Sequence, residues 1–340
     1  MALMIASDVQ AMERPKSTAK RWLIGGAKLA VTSGLCWLII GWIDWPLFLT
    51  TLQNAHYGLM VIVFVVASAD IVVSAWKWRI LLLGHGIDFR LTDLSRWYFT
   101  AAFFNAFLPT NIGGDGYRLL KTYDNPRGKA RAFGALLLER ITGVITLGGL
   151  GYLAALIVWW RTGNALAGSL AVIGTIGGVG TIVLLLLIWR VGLIGPLGRI
   201  RLLRTIVDKS AEVISDWKGQ TGRMVAIMAL SLAFHVIRIG FIWLLIFALG
   251  TSVDPVELTV ALFAVEVAAM IPISIGGIGV MEGSFVYVMS SFGLNSESGL
   301  AAMLVLRVLT LVLALIGAVL YLAEDKVRPV AVKSSSPVSP

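Results

Sequence analysis

The chain has 340 residues, of which 58% are hydrophobic and only 14% are charged. This composition excludes an ordinary soluble domain, because several apolar runs reach the roughly 20 residues that a helix needs to cross about 30 Å of hydrocarbon. The formal net charge of +9 would suggest a nucleic-acid partner in a soluble protein. Here we attribute it to basic residues on the cytoplasmic side of a membrane protein and expect no nucleic acid.

The N-terminal residues 1–21 carry four basic residues and are predicted to form a cytoplasmic segment. The first apolar run, residues 22–43, is long, and no small-residue cleavage site follows it closely. This pattern indicates a retained signal anchor rather than a cleaved signal peptide. The lone Cys36 lies in this run, so an internal disulfide is excluded.

The hydropathy pattern predicts an all-α polytopic membrane protein with one membrane domain, residues 22–325. Residues 326–340 are rich in Pro and Ser and are predicted to be a disordered cytoplasmic tail. Two further apolar stretches, 97–117 and 257–292, contain Pro and Gly and are expected to be re-entrant or broken helices. Six full spans are predicted, at about 22–43, 57–76, 132–160, 165–189, 224–249 and 300–322.

Two short motifs, 163 positions apart, interrupt these two stretches in the same way. Residues 109–116 read PTNIGGDG and residues 272–279 read PISIGGIG, so both fit Pro-x-x-Ile-Gly-Gly-x-Gly. Proline removes a backbone donor and glycine favours irregular backbone, so neither motif suits a regular helix interior. Inside a bilayer, irregular backbone is tolerated only where protein buries it or water reaches it. One such break in each half of a membrane protein points to a transport site.

The distribution of Lys and Arg predicts which loops are cytoplasmic. Twenty-three basic residues fall on one side, and the opposite loops contain only Arg161. Both termini are therefore expected in the cytoplasm, with the chain in a bacterial inner membrane. The segment 196–218 alternates basic and apolar residues, which predicts either a helix on the anionic inner leaflet or a solvated connector.

Three predicted spans separate the two motifs, so the broken stretches should enter the membrane from opposite sides. The halves 22–160 and 165–322 would then form an inverted-topology repeat, which exposes one site alternately to each side. Two more matches support the repeat: Gly84-x-x-Ile87-Asp88 with Gly250-x-x-Val253-Asp254, and Arg140 with Arg307. The alternative is accidental similarity, since 36 glycines are scattered through the chain.

Charged side chains inside predicted spans are candidate site residues, because each costs roughly 2.5–3.5 kcal/mol at a helix centre on insertion scales. Asp70 and Arg238 are both expected near the midplane and could form an ion pair between spans. Arg140 and Arg307 are expected at mirrored depths, where a guanidinium suits phosphate. The alternative is that these arginines pair with acidic residues of other helices, namely Glu139, Glu266 or Glu282.

The first motif also has features of an anion site. The backbone amides of Gly113, Gly114 and Gly116 could form a nest for an anion. Alternatively, these glycines only permit tight helix packing. The remaining candidates that we expect to contact a head group are Asn105, Asn111, Asp115, Arg118, Glu139, Gly276, Gly277 and Glu282.

No catalytic constellation is recognisable in the sequence. His56, His85 and His235 are scattered, and no zinc or thiol site can be assembled from their spacing with the single cysteine. Gly113–Gly116 does not follow a strand, so it is not a dinucleotide-binding fingerprint. We therefore expect no cofactor, no metal and no enzymatic activity.

The sequence resembles the flippase-like transmembrane region of bacterial lysylphosphatidylglycerol synthases. The likeness covers about residues 20–325 and rests on residues 104–118, on Glu139-Arg140 and on residues 272–283. In two-domain members this region is associated with moving aminoacylated phospholipid between leaflets, while a separate soluble domain makes the lipid. The resemblance thus implies a stand-alone flippase-like protein and gives no support for lysyl transfer.

The function expected from the sequence is transport of a phospholipid or lipid-linked substrate with a phosphate-containing head group. Two alternatives remain. The first is a membrane enzyme, or an auxiliary subunit, that modifies a lipid or glycolipid, and the second is a scaffold that holds lipid-synthesis enzymes without transporting anything.

Overall fold

The computed structural model describes residues 55–107, 113–122, 126–177, 219–269 and 277–323, together with the isolated residues 46, 49, 50, 53, 217 and 274. This part of the chain forms nine helices and no strand. The helices are α1 Tyr57–Gly84, α2 Leu91–Phe107, α3 Gly113–Lys121, α4 Pro126–Thr162, α5 Ala165–Gly177, α6 Thr221–Ala248, α7 Pro255–Ala269, α8 Val280–Ser291 and α9 Ser296–Leu322.

Four of these helices are long and apolar enough to cross a membrane: Tyr57–Gly84, Arg131–Thr162, Thr221–Ala248 and Ser296–Leu322. They confirm as helices the spans predicted at 57–76, 132–160, 224–249 and 300–322. The predicted span 22–43, the predicted surface segment 196–218 and the tail 326–340 lie outside the described residues, apart from Trp217. The span predicted at 165–189 is described only as far as Gly177.

Helices α1 and α6 have the same length of 28 residues and start 164 positions apart. Each ends in a glycine with positive φ, at Gly86 (74°) and Gly250 (81°). After each helix the chain closes the same hydrogen-bonded turn, which terminates a helix where glycine accepts the left-handed conformation. The sequence comparison aligned Gly84 with Gly250, but the helix ends align Gly86 with Gly250.

Helices α1 and α6 pack against each other and run antiparallel. At one end, the His56 N–H donates to the carbonyl oxygen of Ala248 (2.8 Å). At the other end, the side-chain amide of Gln220 donates to the carbonyl oxygen of Gly84 (3.2 Å). The two helices thus have the same length and the same C-terminal turn, and they lie side by side in opposite directions.

Both predicted broken stretches consist of two short helices. The first contains α2 and α3, and the second contains α7 and α8. The members of each pair pack against each other.

Helix α7 starts with Asp254 as its N-cap. The Asp254 carboxylate accepts a hydrogen bond from the Val256 N–H (2.7 Å) and pairs with Arg161 (3.0 Å). Burial raises the pKa of Asp254, but these two donors outweigh burial and hold the pKa below its usual value.

Two long helices also pack against short ones: α9 contacts α2, and α4 contacts α7. A Cβ at Gly317 of α9 would overlap the backbone carbonyl of Phe99 in α2. A Cβ at Gly151 of α4 would overlap the side chain of Phe263 in α7. Phe99 and Phe263 are 164 positions apart, and Gly151 and Gly317 are 166 positions apart.

The interior divides into two apolar clusters. One surrounds Leu245, Leu258 and Phe285 between α1, α4, α6, α7, α8 and α9. The other surrounds Trp78 and Leu94 where α1, α2 and α4 meet. Large apolar side chains cover much of the outer surface, among them Trp160, which is 86% exposed. Such a surface suits contact with lipid hydrocarbon, where burial inside protein is not required.

Candidate functional site

The first motif and helix α4 bring four charged side chains together, which we call the first charge cluster: Asp115, Arg118, Glu139 and Arg140. The Asp115 carboxylate lies between two guanidinium groups, with Oδ1 2.5 Å from Arg118 Nη2 and Oδ2 2.5 Å from Arg140 Nη2. The second carboxylate, Glu139, accepts from Arg118 Nη1 at 3.0 Å. A buried cluster of this kind is stable only because each charge has a partner of opposite sign.

Arg118 is the centre of the first charge cluster and is almost fully buried, with 4% of its side chain exposed. Its guanidinium lies over two aromatic rings, 4.9 Å from the ring centre of Trp78 and 4.2 Å from that of Tyr98. The Tyr98 hydroxyl donates to Glu139 at 2.5 Å. Because Arg118 is almost fully buried and binds both carboxylates, it positions Asp115 and Glu139 and is not open to a ligand.

Arg140 has the opposite environment, since 57% of its side chain is exposed. Within the described part of the chain, its only hydrogen-bond partner is Asp115. The buried Lys77 also joins this region, where its ammonium donates to the backbone carbonyl of Glu139 (3.1 Å). The region therefore holds three basic and two acidic side chains. The extra basic side chain is the buried Lys77, whose ammonium binds a backbone carbonyl, whereas Arg140 is the exposed basic side chain of the region.

The glycines of the first motif begin helix α3 rather than an irregular loop. The Gly114 N–H is the donor to the Asn105 side-chain oxygen of α2 (2.8 Å), so this amide already has a partner. A Cβ at Gly114 would lie 2.5 Å from the carbonyl oxygen of Ala101, whereas Gly116 faces open space. Gly114 is thus required for the close approach of α3 to α2. Asn111 lies outside the described residues.

The second motif forms a simpler cluster at the start of α8. The Glu282 carboxylate accepts from Arg307 of α9 at 2.6 Å and from the Gly279 N–H at 2.7 Å. Only 3% of the Glu282 side chain is exposed, compared with 27% of the Arg307 side chain. Gly277 and Gly279 have positive φ values of 71° and 85°, which a residue with a Cβ rarely adopts. Gly276 lies outside the described residues.

The two clusters share one geometric element. In each, a buried carboxylate at the start of a short helix binds an arginine that lies 25 residues later on the following long helix. The same shift of 167 positions that relates Asp115 to Glu282 relates Arg118 to Phe285, which is completely buried. The second cluster therefore has the carboxylate–arginine pair without the central buried arginine.

The third charged region lies between α1, α6 and α7. An ion pair between Asp70 and Arg238 is possible from the sequence, but in the structure Arg238 pairs with Glu266 of α7 at 2.8 Å. The carboxylate oxygen Oδ1 of Asp70 is buried and has no hydrogen-bond partner among the described residues. Arg238 and Glu266 line a small cleft that is partly open to the surface, together with His235, Leu262, Met281 and Leu306.

Sequence reasoning missed three side chains that contact the first charge cluster: Lys77, Trp78 and Tyr98. Lys77 was counted only among the cytoplasmic basic residues. Its burial could have been suspected, because it follows a long apolar run and is flanked by two tryptophans, Trp76 and Trp78. The sequence contains no comparable signal for Tyr98, whose role depends on α2 lying beside α4. In the described ranges no group of three metal-ligating side chains occurs.

The family model of the lysylphosphatidylglycerol synthase TM region matches residues 26–317. The chain belongs to this family. The match includes both motifs, both charge clusters and the cleft, and it confirms the resemblance identified from the sequence. No match was found among curated proteins or among solved structures. As a member of the lysylphosphatidylglycerol synthase TM region family with several long apolar helices, the chain is a multi-pass membrane protein of lipid metabolism.

Proposed function

We propose that this protein moves a lipid with a phosphate-containing head group between the two leaflets of the bacterial inner membrane. The observation that carries the proposal is the pair of matching carboxylate–arginine contacts, Asp115–Arg140 and Glu282–Arg307. A guanidinium donates two parallel hydrogen bonds to a phosphate and stays charged at any physiological pH. In each half of the chain, a phosphate could thus replace the carboxylate as the partner of one arginine.

An inverted repeat explains why there are two such contacts. Helices α1 and α6 would be equivalent, since they have equal lengths, equal endings and opposite directions. The reciprocal packing of Gly317 on Phe99 and of Gly151 on Phe263 follows from the same relation. In such a repeat, α2–α3 and α7–α8 would be re-entrant hairpins from opposite faces of the membrane, with both termini in the cytoplasm.

In the proposed mechanism, Arg140 receives the head group from the cytoplasmic leaflet. Its exposed guanidinium attracts the phosphate, the buried Lys77 nearby adds one more basic side chain, and Arg118 keeps Asp115 and Glu139 in place. Arg307 would act in the same way from the other side, released from Glu282. Binding at one arginine and release at the other corresponds to alternating access in an inverted repeat.

The test uses purified protein in vesicles of phosphatidylcholine and phosphatidylglycerol that contain a fluorescent phosphatidylglycerol. Accessibility of the fluorophore to an impermeant quencher measures its movement between leaflets. We expect the wild type to accelerate movement, Arg140→Gln to reduce it at least tenfold, and Arg161→Gln to leave it unchanged. Arg161 is the matched control because it is another half-exposed arginine paired with an aspartate.

Two outcomes would contradict the proposal in different ways. If the lipid stays in its leaflet with wild-type protein at every protein-to-lipid ratio, the protein does not transport this lipid class and the scaffold alternative is favoured. If mass spectrometry of the vesicles finds a chemically changed lipid, the enzyme alternative is favoured.

A further inference from the structure

Asp70 is the most unusual charged residue outside the two motif clusters. It lies in the middle of α1, is 8% exposed, and its Oδ1 has no hydrogen-bond partner in the described part of the chain. An ionised carboxylate in such a place would cost several kcal/mol unless it were paired. The charged groups around Asp70 therefore determine whether its carboxyl group is ionised or protonated.

The only charged group that acts on Asp70 within the described residues is Arg238 of α6. Helices α2 and α4 also pack against α1, but they bring no charged group into range of Asp70. Arg238 itself is held by Glu266 at 2.8 Å. Two carboxyl groups, Glu266 and Asp70, thus compete for one guanidinium. In this conformation the guanidinium binds Glu266.

The two carboxyl groups differ in exposure. The Glu266 side chain is 30% exposed and lines the cleft, whereas Asp70 is 8% exposed as a residue. Charged side chains inside a membrane usually face a water-filled cavity. We take the cleft to be such a cavity, so Glu266 stays ionised there without a partner, whereas the buried Asp70 does not. Because a carboxyl group is neutral only when it is protonated, Asp70 must carry a proton whenever Arg238 is bound to Glu266.

A metal ion is a poor substitute for this proton. Hard cations such as Mg²⁺ and Ca²⁺ take about six to eight oxygen ligands. In the described ranges, no group of three metal-ligating side chains surrounds Asp70. A single carboxyl group beside an arginine suits a proton.

We propose that Asp70 is the proton-binding site of a proton-coupled transport cycle, with Arg238 as the switch. Asp70 holds a proton while Arg238 is paired with Glu266. When Arg238 turns to Asp70, the O–H bond of the carboxyl group breaks, the proton passes to water in the cleft, and Glu266 is left ionised in the same water. This inference rests on the proposed function and identifies its coupling ion.

The first experiment measures the proton directly and does not depend on transport. Infrared spectra of the protein in phosphatidylcholine vesicles are compared between neutral and alkaline buffer. We expect a protonated-carboxyl band at neutral pH in the wild type and in Asp88→Asn, and its loss in Asp70→Asn. Asp88 is the matched control because its side chain is 65% exposed.

Two further variants test the switch. In Glu266→Gln, Arg238 loses its partner and should turn to Asp70, so the band should disappear at neutral pH. In Arg238→Gln, Asp70 has no cation and should keep its proton into more alkaline buffer. A band that persists in Asp70→Asn, or that is unchanged in both switch variants, would overturn the proposal.

The second experiment tests coupling. In the phosphatidylglycerol-containing vesicles, a pH gradient should change the rate of lipid movement several-fold for the wild type and Asp88→Asn, but not for Asp70→Asn. If the pH gradient does not change the rate of lipid movement by the wild type, proton coupling is contradicted, but the transport proposal stands. If no vesicle shows lipid movement but the infrared band behaves as expected, the transport proposal fails and the proton site stands.

Discussion

At the scale of single residues, exposure separates the two arginines that contact Asp115, because one is enclosed by protein and the other is open to a ligand. Arg118 and Arg140 both contact Asp115, but 4% of the Arg118 side chain is exposed and 57% of the Arg140 side chain. Arg118 is also enclosed by Trp78 and Tyr98. The sequence placed both arginines in the substrate site, and burial assigns them different roles.

This difference predicts opposite effects on stability. Arg118→Gln should lower the free energy of unfolding by about 3–5 kcal/mol, because it strands buried carboxylates. Arg140→Gln should lower it by only about 0–1 kcal/mol, as for an exposed ion pair. Arg307→Gln should resemble Arg118→Gln, since Glu282 is 3% exposed. Melting curves in detergent give the comparison, and equal losses for Arg118→Gln and Arg140→Gln would contradict it.

At the scale of helices, glycine permits the closest contact between the two halves. Gly317 of α9 lies against the backbone of α2, where a Cβ would overlap the Phe99 carbonyl. A backbone carbonyl cannot rotate away as a side chain can. Gly148 of α4 has no atom within 4 Å of its Cβ position.

We therefore expect Gly317→Ala and Gly148→Ala to behave differently. Gly317→Ala should force α9 away from α2 and cost about 1–3 kcal/mol, as overpacking usually does. Gly148→Ala should be neutral or slightly stabilising, because alanine is the better helix former. The yield of folded, monodisperse protein after heating distinguishes the two variants. Similar melting temperatures would mean that α9 and α2 are not in close contact.

At the scale of the whole molecule, the antiparallel arrangement of α1 and α6 has a consequence for topology. The exposed Asp88 follows α1, and the exposed Ser252, 164 positions later, follows α6. Because the two helices run in opposite directions, these positions lie at opposite ends of the helix bundle.

Labelling of single cysteines in a Cys36→Ser background tests this arrangement. An impermeant maleimide added to intact cells should label Ser252→Cys and not Asp88→Cys, and permeabilised cells should allow both. The reason is the excess of basic residues in segments 77–131 and 190–223, which should keep position 88 in the cytoplasm. Equal labelling of both positions in intact cells would exclude the inverted repeat.

The sequence alone determined the long helices, the two interrupted stretches and the family. Each of these is a local property: hydropathy over about 20 residues, or glycine and proline at fixed spacing. The positions of 57–76, 132–160, 224–249 and 300–322 could therefore be predicted without a structure. The same is true of Arg140 and Arg307 as partners of acidic residues, since a charge in an apolar run needs one.

Only the tertiary structure decided which partner each charge has. Arg238 binds Glu266 rather than Asp70, and Gly114 donates to Asn105 rather than to an anion. Arg118 is enclosed by Trp78 and Tyr98. These contacts join residues on different helices, so they depend on which helix faces meet and at what depth. Hydropathy predicts which segments lie in the membrane, but it does not predict which side chains are in contact.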